Sequence, residues 1–316
     1  MNNQAVHRSQ RETRKRIRLE KRASPMARSE NRYGYLFVSP LVTGYILFLF
    51  LPILAAFTMS LTNWSLIGEF HFVGLQNYHK LFTNDTVFVK TIWNTLYFTV
   101  LLVPFNVIIT LALALLLQKA IPGIGLFRTV IFTPVVTSFV VWAIVWKYIL
   151  QTKNGLINSL LEMVGVHGPA WLYTTALAIP IVAMVTLIKG LGINMAIFLA
   201  ALNDVPKMYY EAASIEGASK FQQFRNVTLP LITPSLFLVI TITMIGSMKV
   251  FAQIHVMTGG GPGTSTYVFV YYIYEQAFKY FNFGYASAVS FILFFIILAL
   301  TIVQWLGRRR WVHYED

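Results

Sequence analysis

Residues 36–62 read LFVSPLVTGYILFLFLPILAAFTMSLT, 27 residues without a single charge. A helix of that length is about 40 Å long at 1.5 Å per residue. This exceeds the roughly 30 Å hydrocarbon core of a bilayer, so the segment can span it with tilt. A water-facing helix needs a polar face, and this run has none. Working outward, four more uncharged runs cover 91–117, 129–146, 226–248 and 285–307, and a fifth, 172–203, is interrupted only by Lys189. An open sheet cannot cross lipid, because each unpaired backbone group costs several kcal/mol there. A barrel would show alternating segments of about ten residues, not solid runs. The expected fold is therefore an all-α integral membrane protein with six transmembrane helices. Its spans are placed at about 36–62, 91–117, 127–148, 172–202, 228–252 and 285–307. A basic tail (1–33) precedes the 34–307 membrane domain, and a short tail (308–316) follows it. Prolines occur in nearly every span, at positions 40, 52, 104, 134, 180, 230 and 234. In a bundle, neighbouring helices and hydroxyl groups can satisfy the carbonyls they free.

The composition agrees. Of 316 residues, 56% are hydrophobic and 12% charged, which excludes a soluble enzyme and a disordered chain. The formal net charge is nevertheless +13, and ten of the 25 basic residues fall within residues 1–33. With six spans, eighteen Lys and Arg lie on the side of both termini and five on the other. Basic loops stay in the cytoplasm, so both termini are expected there. Topology and attraction to anionic membrane lipid explain the surplus without nucleic acid. The long basic segment and the long run after it do not fit a cleavable signal peptide. There is no Cys, so no disulfide or thiol nucleophile exists.

Between the fourth and fifth spans lies NDVPKMYYEAASIEGASKFQQFRNVTLPLITP, from Asn203 to Pro234. Asp204 is a plausible N-cap with Pro206 near the first helical position, so Lys207–Ile215 should form a short helix. Gly217 can take the left-handed conformation that ends it. A second short helix should run to about Asn226, with Pro230 opening the next span. A helical connector would explain these features as well as a functional element does.

Within that stretch, Glu211-Ala212-Ala213, Glu216-Gly217-Ala218 and Leu229-Pro230 resemble the EAA loop of bacterial ABC-importer permeases. Glu216 stands where the carbohydrate-uptake class more often has Asp. The segments FVGLQNYHKLF (72–82), GGGPGTST (259–266) and FGYASAVS (283–290) are similar to the same maltose-transporter-like class. The resemblance extends over about 33–307. It implies the type I importer permease fold, located in the bacterial inner membrane. In that fold the EAA loop, 203–230, forms cytoplasmic coupling helices that dock on a separate ATPase. It also implies a set of partners: a second homologous permease, two ATPase subunits, an extracytoplasmic solute-binding protein and a carbohydrate substrate. ATP and Mg would bind the ATPase, with no cofactor on this chain.

No G-x-x-x-x-G-K-[ST] pattern is present, so ATP hydrolysis is not expected here. There is no H-E-x-x-H and no paired-carboxylate site, so neither catalytic residues nor a metal site is expected. Lys189 lies inside a span, where a charge must face protein or water. With Gly190 and Asn194, and with Thr243 and Ser247 of the fifth span, it is a candidate for the substrate path. Helix–helix adhesion by small and hydroxyl residues would explain each of these singly. Trp142, Trp146 and Tyr97 could stack on sugar rings, although interfacial belts use the same residues. A permease for another polar solute such as glycerol phosphate is a close rival. A secondary transporter would be expected to carry inverted repeats and a membrane-embedded acid, and no acid lies within a span core.

Overall fold

The structure, a computed structural model, describes residues 25–65, 70–118 and 123–312. The basic tail up to residue 24, Lys119 in the loop after the second span, and the last four residues lie outside the described residues. The described chain is helical, with one isolated antiparallel bridge between Thr62 and Phe72. It forms two compact units, one ending at Thr58 and one beginning at Met59.

The first unit holds α1 (Pro25–Tyr45), a π-helical turn (Ile46–Phe50) and most of α2 (Leu51–Ser60). Together they make a candidate span of 29 residues from Arg32 to Ser60. The helix begins at Pro25, inside the stretch expected as a tail. Proline is well tolerated at a first helical position, and the residues after it form helix readily. None of the side chains described up to Thr58 is buried.

The second unit contains α3 (Gln76–Thr83), α4 (Thr86–Leu117), α5 (Ile124–Val136), α6 (Phe139–Ile149), α7 (Leu156–Met163) and α8 (Thr175–Asp204). After α8 come α9 (Lys207–Ile215), α10 (Lys220–Gln223), a π turn (Phe224–Thr228), α11 (Leu229–Leu231) and α12 (Thr233–Met248). The chain closes with α13 (Ala252–Met257), α14 (Phe269–Tyr274), a π turn (Glu275–Lys279) and α15 (Phe283–Gly307).

Helices α4, α8 and α15 are each long and apolar enough to cross a bilayer. Two further bent pairs are long and apolar enough only when each is taken as one unit. α5 and α6 meet at 107°, and the α10–α11 segment meets α12 at 68°. Counting each pair as one span gives six. The first break falls at Thr137 and Ser138, which leave the helical region with ψ of 139° and 145°. Ser138 then caps α6 by accepting from the Val140 N–H at 3.2 Å. The second break falls at Ile232, between Pro230 and Pro234. Pro104 and Pro180, by contrast, sit inside unbroken helices.

α4 shows how a uniformly apolar helix chooses its inner face. Its buried stripe is Phe88, Thr91, Thr95, Phe98, Leu102, Asn106, Thr110, Ala114 and Leu117, at helical spacing of three and four. Thr and Asn face inward, while Trp93, Val100 and Ile108 face outward. With lipid outside, polar and small groups are the ones that gain by facing protein. Thr95 and Thr110 return hydrogen bonds to the carbonyls of Thr91 and Asn106, so no hydroxyl of theirs is stranded. α4 packs along α8, whose Ile179, Val182, Val185 and Leu187 share a cluster with Phe98 and Leu102. A second cluster joins Leu81, Phe88, Phe269 and Val289 at one end of the bundle. A third joins Ala114, Met195, Phe198, Leu202 and Ile232 at the other.

α15 starts against backbone. A methyl group on Gly284 would lie 2.1 Å from the Thr62 carbonyl, and the Gly284 N–H donates to Trp64 O at 3.0 Å. Only glycine permits that approach.

Candidate functional site

Two places in the second unit collect the residues singled out from sequence. The first is the segment that links α8 to α12. Its first helix is Lys207–Ile215, with Pro206 at the N-cap position. Asp204 is the last residue of α8 and caps nothing there, which corrects the expected N-cap. Its place follows from α8 continuing helically until Val205 turns extended. Gly217 has φ +78°, and the Ala218 N–H donates to Ala213 O at 2.9 Å, the closing bond of a left-handed helix end. Ser219 opens the next turn with a capping box completed by Gln222. The angle between the two helices is held by side chains. Gln223 donates to Ser214 Oγ at 2.9 Å and to Ala218 O at 3.2 Å, and Tyr210 and Thr228 join hydroxyls at 2.9 Å.

On this braced turn Glu211, Ala212, Glu216 and Gly217 are exposed, and Ala213 and Ala218 are half-buried. Leu229 and Pro230, half-buried, sit in α11 at the foot of α12. Lys207, Tyr210, Glu211, Ser214 and Ile215 line a shallow hollow on α9. Met208, Ile215 and Phe221 are exposed beside it, at 67%, 86% and 70%. The arrangement offers a rigid, small-residue surface with a free carboxylate, on an element joined directly to two spans.

The second place is a cavity of about 580 Å³ lined by α4, α5, α8 and α12, with Phe139 of α6 and the segment leading into α13. Lys189, Gly190, Asn194, Thr243 and Ser247 all line it. Asn194 donates to Asn106 Oδ1 at 2.5 Å and to Thr243 Oγ1 at 3.0 Å. Ser247 Oγ donates to Thr99 Oγ1 at 2.9 Å. Three helices thus present neutral amides and hydroxyls to one space.

Lys189 is turned to a different task. It is 5% exposed, and its ammonium donates to Pro134 O at 2.6 Å and Thr137 O at 2.5 Å. These carbonyls lie where α5 breaks, the negative end of that helix; Pro134 O also accepts a longer bond from the Thr137 N–H, at 3.3 Å. The ammonium also lies 4.6 Å from the centre of the Phe139 ring. One turn on, Gly192 lets α8 touch α5, since a methyl there would lie 2.7 Å from Val135 and 3.0 Å from Ile131 O.

Trp142, Trp146 and Tyr97 do not line the cavity. Trp142 donates to Val185 O at 3.0 Å and packs on Trp146, so both serve the α6–α8 contact. Asn106 lines the cavity as well and is not among the residues expected there from sequence. A lone amide inside an apolar span was the available signal. Phe251 and Gln253 also line the space, from a segment after α12 where no periodicity points inward.

The end of the bundle opposite α9 carries two carboxylate–tyrosine clusters. Asp85 caps α4 through the Phe88 N–H at 2.8 Å and accepts from the hydroxyls of Tyr285, at 2.5 Å, and Tyr272. Glu275, 3% exposed, accepts from Tyr267, from Tyr271 at 3.1 Å and from Lys279 at 2.8 Å. Burial alone would raise the Glu275 carboxyl. The hydrogen bonds from Lys279, Tyr267 and Tyr271 outweigh it and hold the group below the usual carboxylate range. Burial first, then the same carboxylate, pushes Tyr267 and Tyr271 up. Among the described residues no group of His, Asp and Glu could hold a metal ion.

Residues 88–312 match the family described as "Binding-protein-dependent transport system inner membrane component". The "Probable ABC transporter permease protein YesP" of Bacillus subtilis (strain 168) is 32% identical, over 92% of this chain and 94% of its own length. The arabinooligosaccharides transport system permease protein AraP of the same organism is 33% identical, over 87% and 88%. The trehalose/maltose transport system permease protein MalF of Thermococcus litoralis is 34% identical, over 87% and 92%. A chain in the crystal structure of a bacterial alginate ABC transporter, bound to an alginate pentasaccharide-loaded periplasmic protein, superposes with a TM-score of 0.79. It is 22% identical and covers 89% of this chain and 96% of its own.

Proposed function

The chain belongs to the family of binding-protein-dependent inner-membrane transport components, the multi-pass, non-catalytic permeases of ABC transporters, and from that membership we propose that it forms half of the translocation path of a carbohydrate importer. The observation that carries the reading is the cavity in which Asn106, Asn194, Thr243 and Ser247 converge from three helices. Hydroxyl-rich solutes need such neutral donors and acceptors in a water-poor space. The relatives named for arabinooligosaccharides and for trehalose and maltose support the same substrate class.

The remaining half of the path belongs to a second, homologous permease. An extracytoplasmic binding protein delivers the saccharide, and two ATPase subunits bind ATP and Mg and drive the cycle. No nucleotide or metal is assigned to this chain. The eighteen-to-five distribution of basic residues supports both termini in the cytoplasm, which puts the α9–α11 segment within reach of the ATPase. Glu211, Ala212, Ala213, Glu216, Gly217 and Ala218 then form the docking surface, with Leu229 and Pro230 passing the movement to α12. Closure of the ATPase dimer pushes a rigid element attached to two spans, and the cavity changes the side it opens to.

Reconstitution tests this directly. The chain, with its companion permease, ATPase and binding protein in proteoliposomes, should accumulate neutral saccharides only with internal ATP. Uptake of glycerol phosphate in preference to every saccharide would replace the carbohydrate assignment. Uptake driven by an ion gradient without ATP would overturn the mechanism.

A further inference from the structure

The polar groups of the cavity are not equally free to meet a ligand. Asn106, Asn194, Thr243 and Ser247 are bonded to one another or to Thr99, Thr186 donates to Val182 O, and Lys189 is held by the α5 carbonyls. Two lining side chains, Lys249 and Gln253, make no hydrogen bond among the described residues. Lys249 is exposed and can be solvated. Gln253 is only 4% exposed as a residue, yet its amide, with two donors and an acceptor, has no protein partner among the described residues, and its polar atoms are not sealed from the cavity that the residue lines. An unpaired amide that opens on the cavity is available to bond a ligand there. Beside it, Phe251 also lines the cavity. Its ring is held by stacking on His255, with centroids 5.2 Å apart, and by Tyr274 at 5.1 Å.

We propose that Gln253 is a substrate-contacting residue, its amide bonding a pair of adjacent hydroxyls of a saccharide whose apolar ring face lies on Phe251. The chemistry fits a neutral sugar. A primary amide donates and accepts side by side, as neighbouring hydroxyls do. A fixed aromatic ring meets the C–H face without needing to reorganise. The two residues lie just past the end of α12, at the start of α13, so a sugar bound there sits beside the span that the α9–α11 segment moves. The proposal rests on the carbohydrate reading above.

The test uses the complete complex in proteoliposomes with saturating binding protein. The probes are radiolabelled maltotriose and arabinotriose, and the monodeoxy analogues of whichever is imported. For Gln253→Ala, maximal uptake should fall about tenfold, the loss of roughly one good hydrogen-bonded contact. The amount of complex assembled and the ATP hydrolysis stimulated by loaded binding protein should stay unchanged. At least one deoxy analogue, handled poorly by the native complex, should be handled equally with its parent in the variant. Gln253→Asn, which keeps the amide, should restore part of the rate and the discrimination. If Gln253→Ala transports and discriminates as the native protein does, the proposal falls and the carbohydrate reading stands. If uptake falls only in step with assembly or ATP hydrolysis, Gln253 is structural and the proposal is overturned. If the native complex imports neither trisaccharide, the carbohydrate reading fails and takes the proposal with it.

Discussion

Replacing Lys189 by methionine removes the ammonium that closes the break between α5 and α6. Two charge-assisted hydrogen bonds are lost, to Pro134 O and Thr137 O. Bonds to charged groups contribute about 1.5–3 kcal/mol each, so about 3–6 kcal/mol disappears. Against this, methionine relieves the cost of holding a charge at membrane depth, about 2.5–3.5 kcal/mol on insertion scales. Pro134 O also keeps the Thr137 N–H at 3.3 Å, which softens the loss at one carbonyl. The balance is a net local destabilisation of about 1–3 kcal/mol, or roughly 5- to 150-fold in the opening of the bend. Hydrogen exchange on the complex in nanodiscs reads this directly. The amides of Thr137, Val140 and Trp142 should exchange faster by that factor, while those in the middle of α4 should not change. Because Lys189 also forms cavity wall, uptake should fall too. Lys189→Arg, which keeps donors for both carbonyls, should recover most of both properties. Native exchange rates together with native uptake in Lys189→Met would refute the idea that this lysine holds the bend.

Other substitutions probe the rest of the molecule. Glu211→Arg should abolish uptake while membrane insertion and saccharide capture by the binding protein stay normal; ATP-driven transport at the native rate would remove α9 from the coupling path. Gly217→Ala places a side chain at φ +78° and should destabilise the turn by about 1–2 kcal/mol, seen as reduced co-purification of the ATPase. Asp85→Ala strips the cap of α4 and the acceptor for Tyr272 and Tyr285. It should lower the complex's stability by about 2–4 kcal/mol, measured as a fall in detergent melting temperature, and an unchanged melt would contradict the geometry. Glu275 gives a pH signature of definite sign. Its folded carboxyl lies below the ordinary value of 4.5, so its contribution is complete above that value. The contribution is lost as pH falls further through the lowered folded value. Glu275→Gln should flatten this acid limb of the melting curve, and a steepened limb would reverse the assignment.

Much of the fold follows from strength of signal. A run such as 36–62 has no soluble alternative, because no core could hide it and no face of it can meet water. The helix Lys207–Ile215 and its end at Gly217 are local as well, set by neighbouring residues and by a backbone angle that glycine adopts without strain. The misplaced cap at Asp204 shows the limit of local reasoning. A good capping residue caps only if the preceding helix has already stopped, and α8 had not.

The breaks were harder to locate because proline alone does not decide them. Pro104 and Pro180 ride inside unbroken helices, whereas Thr137 and Ser138 turn away where Lys189 on another helix can donate to the carbonyls. Nor does the spacing of apolar residues pick the inner face of α4, since they lie all round it; the marks of that face are Thr91, Thr95, Asn106 and Thr110.

The amino-acid sequence is enough to mark the apolar runs and the helical turn between the fourth and fifth of the expected spans, because each depends on residues close together in the chain or on the bilayer as solvent. Only the tertiary structure decides that Asn106, Asn194, Thr243, Ser247 and Gln253 share one cavity, and that Lys189 holds a bend and is not free within that cavity. Those facts concern which helices lie side by side, and long-range packing fixes that between segments whose own apolar surfaces leave the choice open.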